Sequence, residues 1–115
     1  MKRIALALAA FLFCMAPAFA QDWAQQILTK SPRHREWVKV TYGTRTVDAV
    51  IVYPMVKDKA PSVVVIHEIF GLSDWVQTVA DQLAANGYIA IVPDLLSGMG
   101  PGGGGTSAFA PADVN

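Results

Sequence analysis

Val63-Val64-Val65-Ile66 is an unbroken β-branched run with no polar alternation, and no other feature of the chain narrows its possible folds as much. A strand covered on both faces has this pattern, as at the centre of a parallel sheet. The residues that follow fit such a sheet. After a short link, His67 to Leu72, Ser73 stands where a helix N-cap is wanted, and Asp74 suits the positive end of the helix dipole. Val76, Val79, Ala80 and Leu83 then recur on one helical face. Asn86-Gly87 is a helix stop, and Tyr88 to Val92 is a second apolar strand ended by Pro93. Strand, helix and strand in this order predict a βαβ unit with its two strands parallel.

Upstream, Trp37, Val38, Val40 and Tyr42 suit one strand and Val47 to Tyr53 a second, with Gly43-Thr44-Arg45 between them as a turn. They predict an antiparallel hairpin that Pro54 ends. Residues 57–61 read as a solvated connection. Residues 21–35 are polar and mixed, broken at Ser31-Pro32, and residues 97–105 are mostly glycine, which predicts a mobile loop. No internal repeat is visible. The expected fold class is α/β: a hairpin feeding the βαβ unit of a mostly parallel sheet.

The first twenty residues read differently. Lys2 and Arg3 form a basic start, Ile4 to Met15 is an apolar run short for a bilayer span, and Ala18-Phe19-Ala20 is a small-x-small exit before Gln21. This pattern predicts a secretory signal over residues 1–20 and an exported product, periplasmic or extracellular. Removing Lys2 and Arg3 from nine basic side chains leaves seven against nine acidic ones, a net charge near −2. That balance gives no reason to expect nucleic acid or an anionic membrane as partner. Cys14, the sole cysteine, leaves with the signal, and its neighbours Phe11-Leu12-Phe13 lack the small residues of a lipid-anchor site. The mature chain is therefore expected to have no stable membrane anchor, no disulfide and no thiolate.

The chemistry is concentrated in Val63 to Asp94. The turn His67-Glu68-Ile69-Phe70-Gly71, with Asn86-Gly87-Tyr88 and Val92-Pro93-Asp94-Leu95 downstream, resembles the dienelactone hydrolases of the α/β-hydrolase superfamily. The resemblance covers about thirty residues strongly and the hairpin weakly. It implies a hydrolase of ester, thioester or lactone bonds that works through a covalent acyl-enzyme without metal or organic cofactor. In that superfamily the loop after this strand lends one backbone N–H to the oxyanion hole, and the residue after the nucleophile lends the other. By resemblance the donor here is the N–H of Ile69, and Glu68 is an auxiliary carboxylate beside the nucleophile, helping to generate a reactive thiolate. A semi-buried carboxylate in a cleft would suit proton transfer. An exposed turn carboxylate that only solvates the loop is the alternative for Glu68.

Other candidates are weaker. His67 precedes the place of a triad histidine, which comes last in α/β-hydrolases, so it is expected to shape the turn or line the cleft. His34 is expected at the surface, and the two histidines lack the carboxylate spacing of a zinc site. Phe70 and Trp75 fit a pocket lining and ordinary packing equally. Asp94 is placed to bond loop amides. Gly100 to Gly105 has phosphate-loop spacing, but Thr106 stands where that motif needs lysine.

No serine here has glycine at both −2 and +2, and no late histidine follows. The expectation is a partial α/β-hydrolase fold truncated before the nucleophile elbow: signal over 1–20, hydrolase-like N-terminal part over 21–96, and a Gly-rich end over 97–115. Such a piece would leave Val63–Ile66 without the neighbour that leads to the elbow, and an open apolar edge invites aggregation. The expected partner is a small-molecule ester or lactone substrate. The competing reading is a non-catalytic exported domain that keeps the cleft for binding.

Overall fold

A computed structural model describes residues 16–109. Lys2, Arg3, the run Ile4 to Met15 and Cys14 lie outside the described residues, as do residues 110–115. The elements are α1 (Ala16–Lys30), β1 (Arg35–Tyr42), β2 (Arg45–Val52), β3 (Ser62–Val64), α2 (Asp74–Ala85) and β4 (Ile89–Pro93), followed by 3-10 turns at Pro101–Gly103 and Thr106–Ala108. One sheet carries the strands in the order β1-β2-β4-β3.

The hairpin forms as the sequence predicts. Arg35 pairs with Val52 and Tyr42 with Arg45, which leaves a two-residue turn at Gly43-Thr44. Gly43 has φ +58, the left-handed value that the first central residue of a tight hairpin turn requires. The βαβ unit also forms. β3 and β4 are parallel, with Ser62 opposite Ile89 and Val64 opposite Ile91. β4 is antiparallel to β2, with Val50 opposite Val92, so the hairpin joins the sheet next to β4.

The core lies between one sheet face and α2. Val50, Val52, Ala90 and Val92 point from the sheet towards Val76, Ala80 and Ala84 of α2, with Leu72 closing one end. Burying each of the valines contributes about 2 kcal/mol. Neighbouring residues point to the other face. Ile51, Ile89 and Ile91 are only half-buried there, and Val64 is 59% exposed.

β3 has the open edge expected of a strand without its further neighbour, but not the two-sided cover its sequence suits. Its run of apolar residues suits a strand covered on both faces, yet it is a three-residue strand at the sheet's edge. Among the described residues only one face of the sheet carries a helix layer. Backbone pairing extends one step past the strand, through Val65 N–H to the Ile91 carbonyl (2.8 Å), and the chain then turns away.

α2 begins and ends where the sequence places it. Ser73 occupies the N-cap position with extended backbone, although its side chain makes no capping hydrogen bond. At the other end the Tyr88 N–H donates to the Leu83 carbonyl (3.2 Å) and the Gly87 N–H to that of Ala84 (3.1 Å). These are the two bonds of a Schellman stop, with Gly87 at φ +92.

α1 was not anticipated. It occupies residues 21–30 of the stretch read as polar and mixed and runs unbroken through Ala18-Phe19-Ala20-Gln21. Trp23, Ala24, Ile27 and Leu28 recur at helical spacing, and Ala24 and Leu28 are buried. The two glutamines between them mask the stripe. Pro32 then disfavours helix at Ser31 and ends the element. Among the described residues no helix is long and apolar enough to cross a membrane.

Asp81 fixes the segment after α1 onto α2. It lies on the buried side of α2 and takes a forked pair of hydrogen bonds from Arg33, Nε to Oδ1 (2.9 Å) and Nη2 to Oδ2 (2.5 Å). The Ser31 hydroxyl donates to Oδ1 as well (2.5 Å). Desolvation pushes the Asp81 carboxyl up, but the hydrogen bonds from Arg33 and Ser31 outweigh it and hold the group below the usual aspartate value. The same hydrogen bond to Asp81 raises the Arg33 guanidinium against desolvation.

Candidate functional site

The carboxyl ends of the parallel strands β3 and β4 lie side by side, the edge at which open α/β sheets hold ligands. The turn after β3 and the loop after β4 meet there. In the first, the Gly71 N–H donates to the Glu68 carbonyl (3.1 Å), closing a tight turn. Gly71 has φ +74, and a Cβ on it would overlap the Thr106 side chain. Glycine is needed at this position for backbone and space together.

Asp94, at the end of β4, joins the two segments. Its Oδ1 accepts from the Leu96 N–H (3.1 Å) and the Thr106 hydroxyl (2.7 Å), and its Oδ2 accepts from the Thr106 N–H (2.7 Å). The Thr106 hydroxyl in turn accepts from the Leu72 N–H (2.8 Å). Gly105 must lack a side chain, because a Cβ there would run into the Asp94 carboxylate. The expected bonding of Asp94 to loop amides is therefore present. The mobile loop expected over residues 97–105 is instead folded against it through Thr106. Sequence reading missed Thr106 as an anchor, since a threonine after a glycine run carries no distinctive signal.

His67 makes a second link. The Leu95 N–H donates to its Nε2 (2.9 Å), so that nitrogen carries no proton. The neutral ring then has its hydrogen on Nδ1, which donates to the Glu68 carbonyl (2.7 Å). Nε2 also lies 3.9 Å from Asp94 Oδ1. We do not read this as an ion pair: it is long, Nε2 is already an acceptor, and Oδ1 already holds two donors. His67 thus shapes the turn, as expected.

The two predicted site residues fare differently. The Ile69 N–H has no hydrogen-bond acceptor among the described residues, and the residue is 66% exposed. Glu68 is exposed rather than semi-buried, because no segment among the described residues packs over it. Its carboxylate folds back to accept from the Phe70 N–H (3.2 Å). Phe70 and Trp75 are each half exposed, so neither is packed as a core residue. His34 lies at the surface beside Glu36, stacked on Tyr53 with ring centres 5.4 Å apart.

A cavity of about 300 Å³ borders the Asp94 junction, lined by Trp37, Asp48, Leu72 and Thr106 among others, and neither Glu68 nor Ile69 lines it. Among the described residues no three His, Cys, Asp or Glu side chains gather as a metal site would require. Among the described residues the backbone N–H groups of His67, Glu68 and Ile69 all lack an acceptor at the carboxyl edge of the sheet, and that of Ile69 adjoins the exposed Glu68 carboxylate.

Comparison with known proteins places the chain by family and fold. The model of the dienelactone hydrolase family matches residues 47–112. A protein of Escherichia coli (strain K12) described as a hydrolase fragment, YghX, is 50% identical over 42 residues, which is 36% of each chain. Among solved structures, one described as a dienelactone hydrolase from Klebsiella pneumoniae subsp. pneumoniae MGH 78578 superposes with a TM-score of 0.52 at 26% identity, covering 56% of this chain and 27% of that one. Another, titled m3DLH, gives 0.52 at 31% identity, covering 55% and 27%. The chain thus spans about a third of the matched curated relative and about a quarter of each solved protein.

Proposed function

The chain belongs to the dienelactone hydrolase family, and from that premise we propose that it supplies the N-terminal, oxyanion-binding part of an exported hydrolase of ester, thioester or lactone bonds. The observation that carries this reading is the unengaged Ile69 N–H at the carboxyl end of β3. A donor held there would stabilise the negative charge that grows on a carbonyl oxygen as a nucleophile attacks, which is often the largest single catalytic contribution. Glu68, adjacent in sequence and exposed, would tune the attacking group through its charge. The reacting partner would be a small ester or lactone. Export rests on the basic, apolar and small-residue pattern of residues 1–20.

The 115 residues hold no G-x-S-x-G or G-x-C-x-G elbow. By this reading they therefore give no turnover of an activated aryl ester above a Glu68→Ala control. The measurement is the release of nitrophenolate by purified protein. Turnover that disappears in Glu68→Ala would overturn the proposed division of labour. Reading the gene past the codon for Asn115 in all three frames tests the rest of the proposal. An elbow motif a few dozen codons on supports the hydrolase. A stop found there in several independent isolates favours the second reading, an exported domain that keeps the site for binding alone.

A further inference from the structure

We propose that His67 is a positioning residue: as the neutral Nδ1–H tautomer it clamps the Glu68 carbonyl and thereby aims the Ile69 N–H at the oxyanion site. The inference rests on the reading of Ile69 as the oxyanion donor, and adds what sets that donor's direction.

The Glu68 carbonyl and the Ile69 N–H belong to one peptide group. That group is planar and trans, so its N–H points opposite to its C=O. Whatever fixes the oxygen fixes the direction of the donor. Two donors converge on that oxygen, His67 Nδ1 at 2.7 Å and the Gly71 N–H at 3.1 Å. The Gly71 bond alone would leave the peptide free to pivot within its turn, whereas a second donor from the ring restrains it. The ring itself is held. Its side chain is 4% accessible, and its far nitrogen accepts the Leu95 N–H, which follows the Asp94 junction. A chain of contacts therefore runs from the end of β4, through the imidazole, to the peptide that carries the donor. Preorganised donors of this kind act because they need no reorganisation as charge develops.

The Leu95 bond determines the tautomer, and the tautomer determines the clamp. A ring with its hydrogen on Nε2 would turn a lone pair on Nδ1 towards the Glu68 oxygen and repel it. Two substitutions separate the functions of the ring. In His67→Asn the side-chain N–H can stand near the place of Nδ1 and keep the bond to Glu68. In His67→Gln the side-chain oxygen can reach the Leu95 N–H, while the donor to Glu68 is lost.

The test uses the isotope-labelled 115-residue chain in solution. Long-range proton–nitrogen spectra of the imidazole report which nitrogen carries the hydrogen, and dipolar couplings report the direction of the Ile69 N–H relative to the α2 amides. The expected result is hydrogen on Nδ1, an Ile69 coupling displaced in His67→Ala and His67→Gln, and its recovery in His67→Asn, with α2 couplings unchanged throughout. Hydrogen on Nε2 overturns the proposal. So does an unmoved Ile69 coupling in His67→Gln, or recovery by Gln in place of Asn. Should His67→Ala fail to fold, the wild-type tautomer and the Asn and Gln variants still decide. None of these readouts needs turnover, so a failed hydrolase reading and a failed clamp are told apart.

Discussion

Asp81 and Asp94 are both buried, but one is balanced by a cation and the other by neutral donors. Asp81 faces the Arg33 fork and ties the segment after α1 to α2. Asp94 takes two backbone N–H groups and a hydroxyl and ties the loop after β4 to the turn after β3. The first arrangement joins a connecting segment to the helical layer. The second brings together loops that have no side-by-side pairing of their own, around the peptide that presents the Ile69 N–H. A buried ion pair is strongly held only while both charges remain. A carboxylate held by several neutral donors divides its support among them. The Asp81 tie therefore depends on a single charged partner, and the carboxyl-end loops on a network of neutral ones.

Removing that partner is expected to have the largest effect. Arg33→Met leaves Asp81 buried with only the Ser31 hydroxyl and should cost about 4 kcal/mol, read as a lower urea midpoint. A loss below 1 kcal/mol would show that the pair is solvated and would erase the contrast with Asp94. The same pair predicts an acid limb. Asp81 titrates below the ordinary value of 3.8 when folded, so the unfolded chain binds the proton more readily. The stability that Asp81 contributes is then complete above the unfolded value and is lost as pH falls through the lower folded one. The gap in midpoint between the wild type and Asp81→Asn should close as pH drops below about 4. A gap that stays constant would remove Asp81 from the acid response.

Asp94→Asn should cost less, about 2 kcal/mol. The amide keeps one acceptor oxygen but turns an N–H₂ towards a group that donates, either the Thr106 N–H or the Leu96 N–H. The loss should be local. Hydrogen exchange at Leu72 and Thr106 should rise while amides of β2 and α2 stay protected. Uniform loss of protection would show that the loop junction and the helical core unfold as one unit.

The same contrast explains what the sequence revealed. The hairpin, α2 and the β3–β4 pairing were legible because each is written in local pattern: period two, period three to four, and a Gly at a helix stop. The turn Glu68-Ile69-Phe70-Gly71 was legible through its motif. Three features were not. The stripe of α1 is interrupted by Gln25 and Gln26 and shows itself only in the packing of α1 on α2, with Ala24 and Leu28 buried. The anchoring of the glycine-rich segment depends on Thr106 reaching Asp94, twelve positions earlier in the chain. The exposure of Glu68 depends on what packs above the turn, which no pattern within the turn encodes. Local signals specified the elements, and long-range hydrogen bonds specified how the loops close around the site.

Gly87 gives the smallest and cleanest measurement, because it isolates backbone from contact. Gly71 and Gly87 both have positive φ, but Gly71 abuts Thr106 while nothing lies within 4 Å of a Cβ placed on Gly87. Gly87→Ala therefore adds only the strain of a left-handed alanine, about 1 kcal/mol. It should lower the urea midpoint slightly and leave the Leu72 and Thr106 amides as protected as before. The effect belongs to the helical layer, where the Gly87 and Tyr88 N–H groups close α2 on Ala84 and Leu83. If Gly87→Ala also loosened the Thr106 amide, the end of α2 would be coupled to the carboxyl-end loops. The two aspartates would then serve one cooperative unit rather than two.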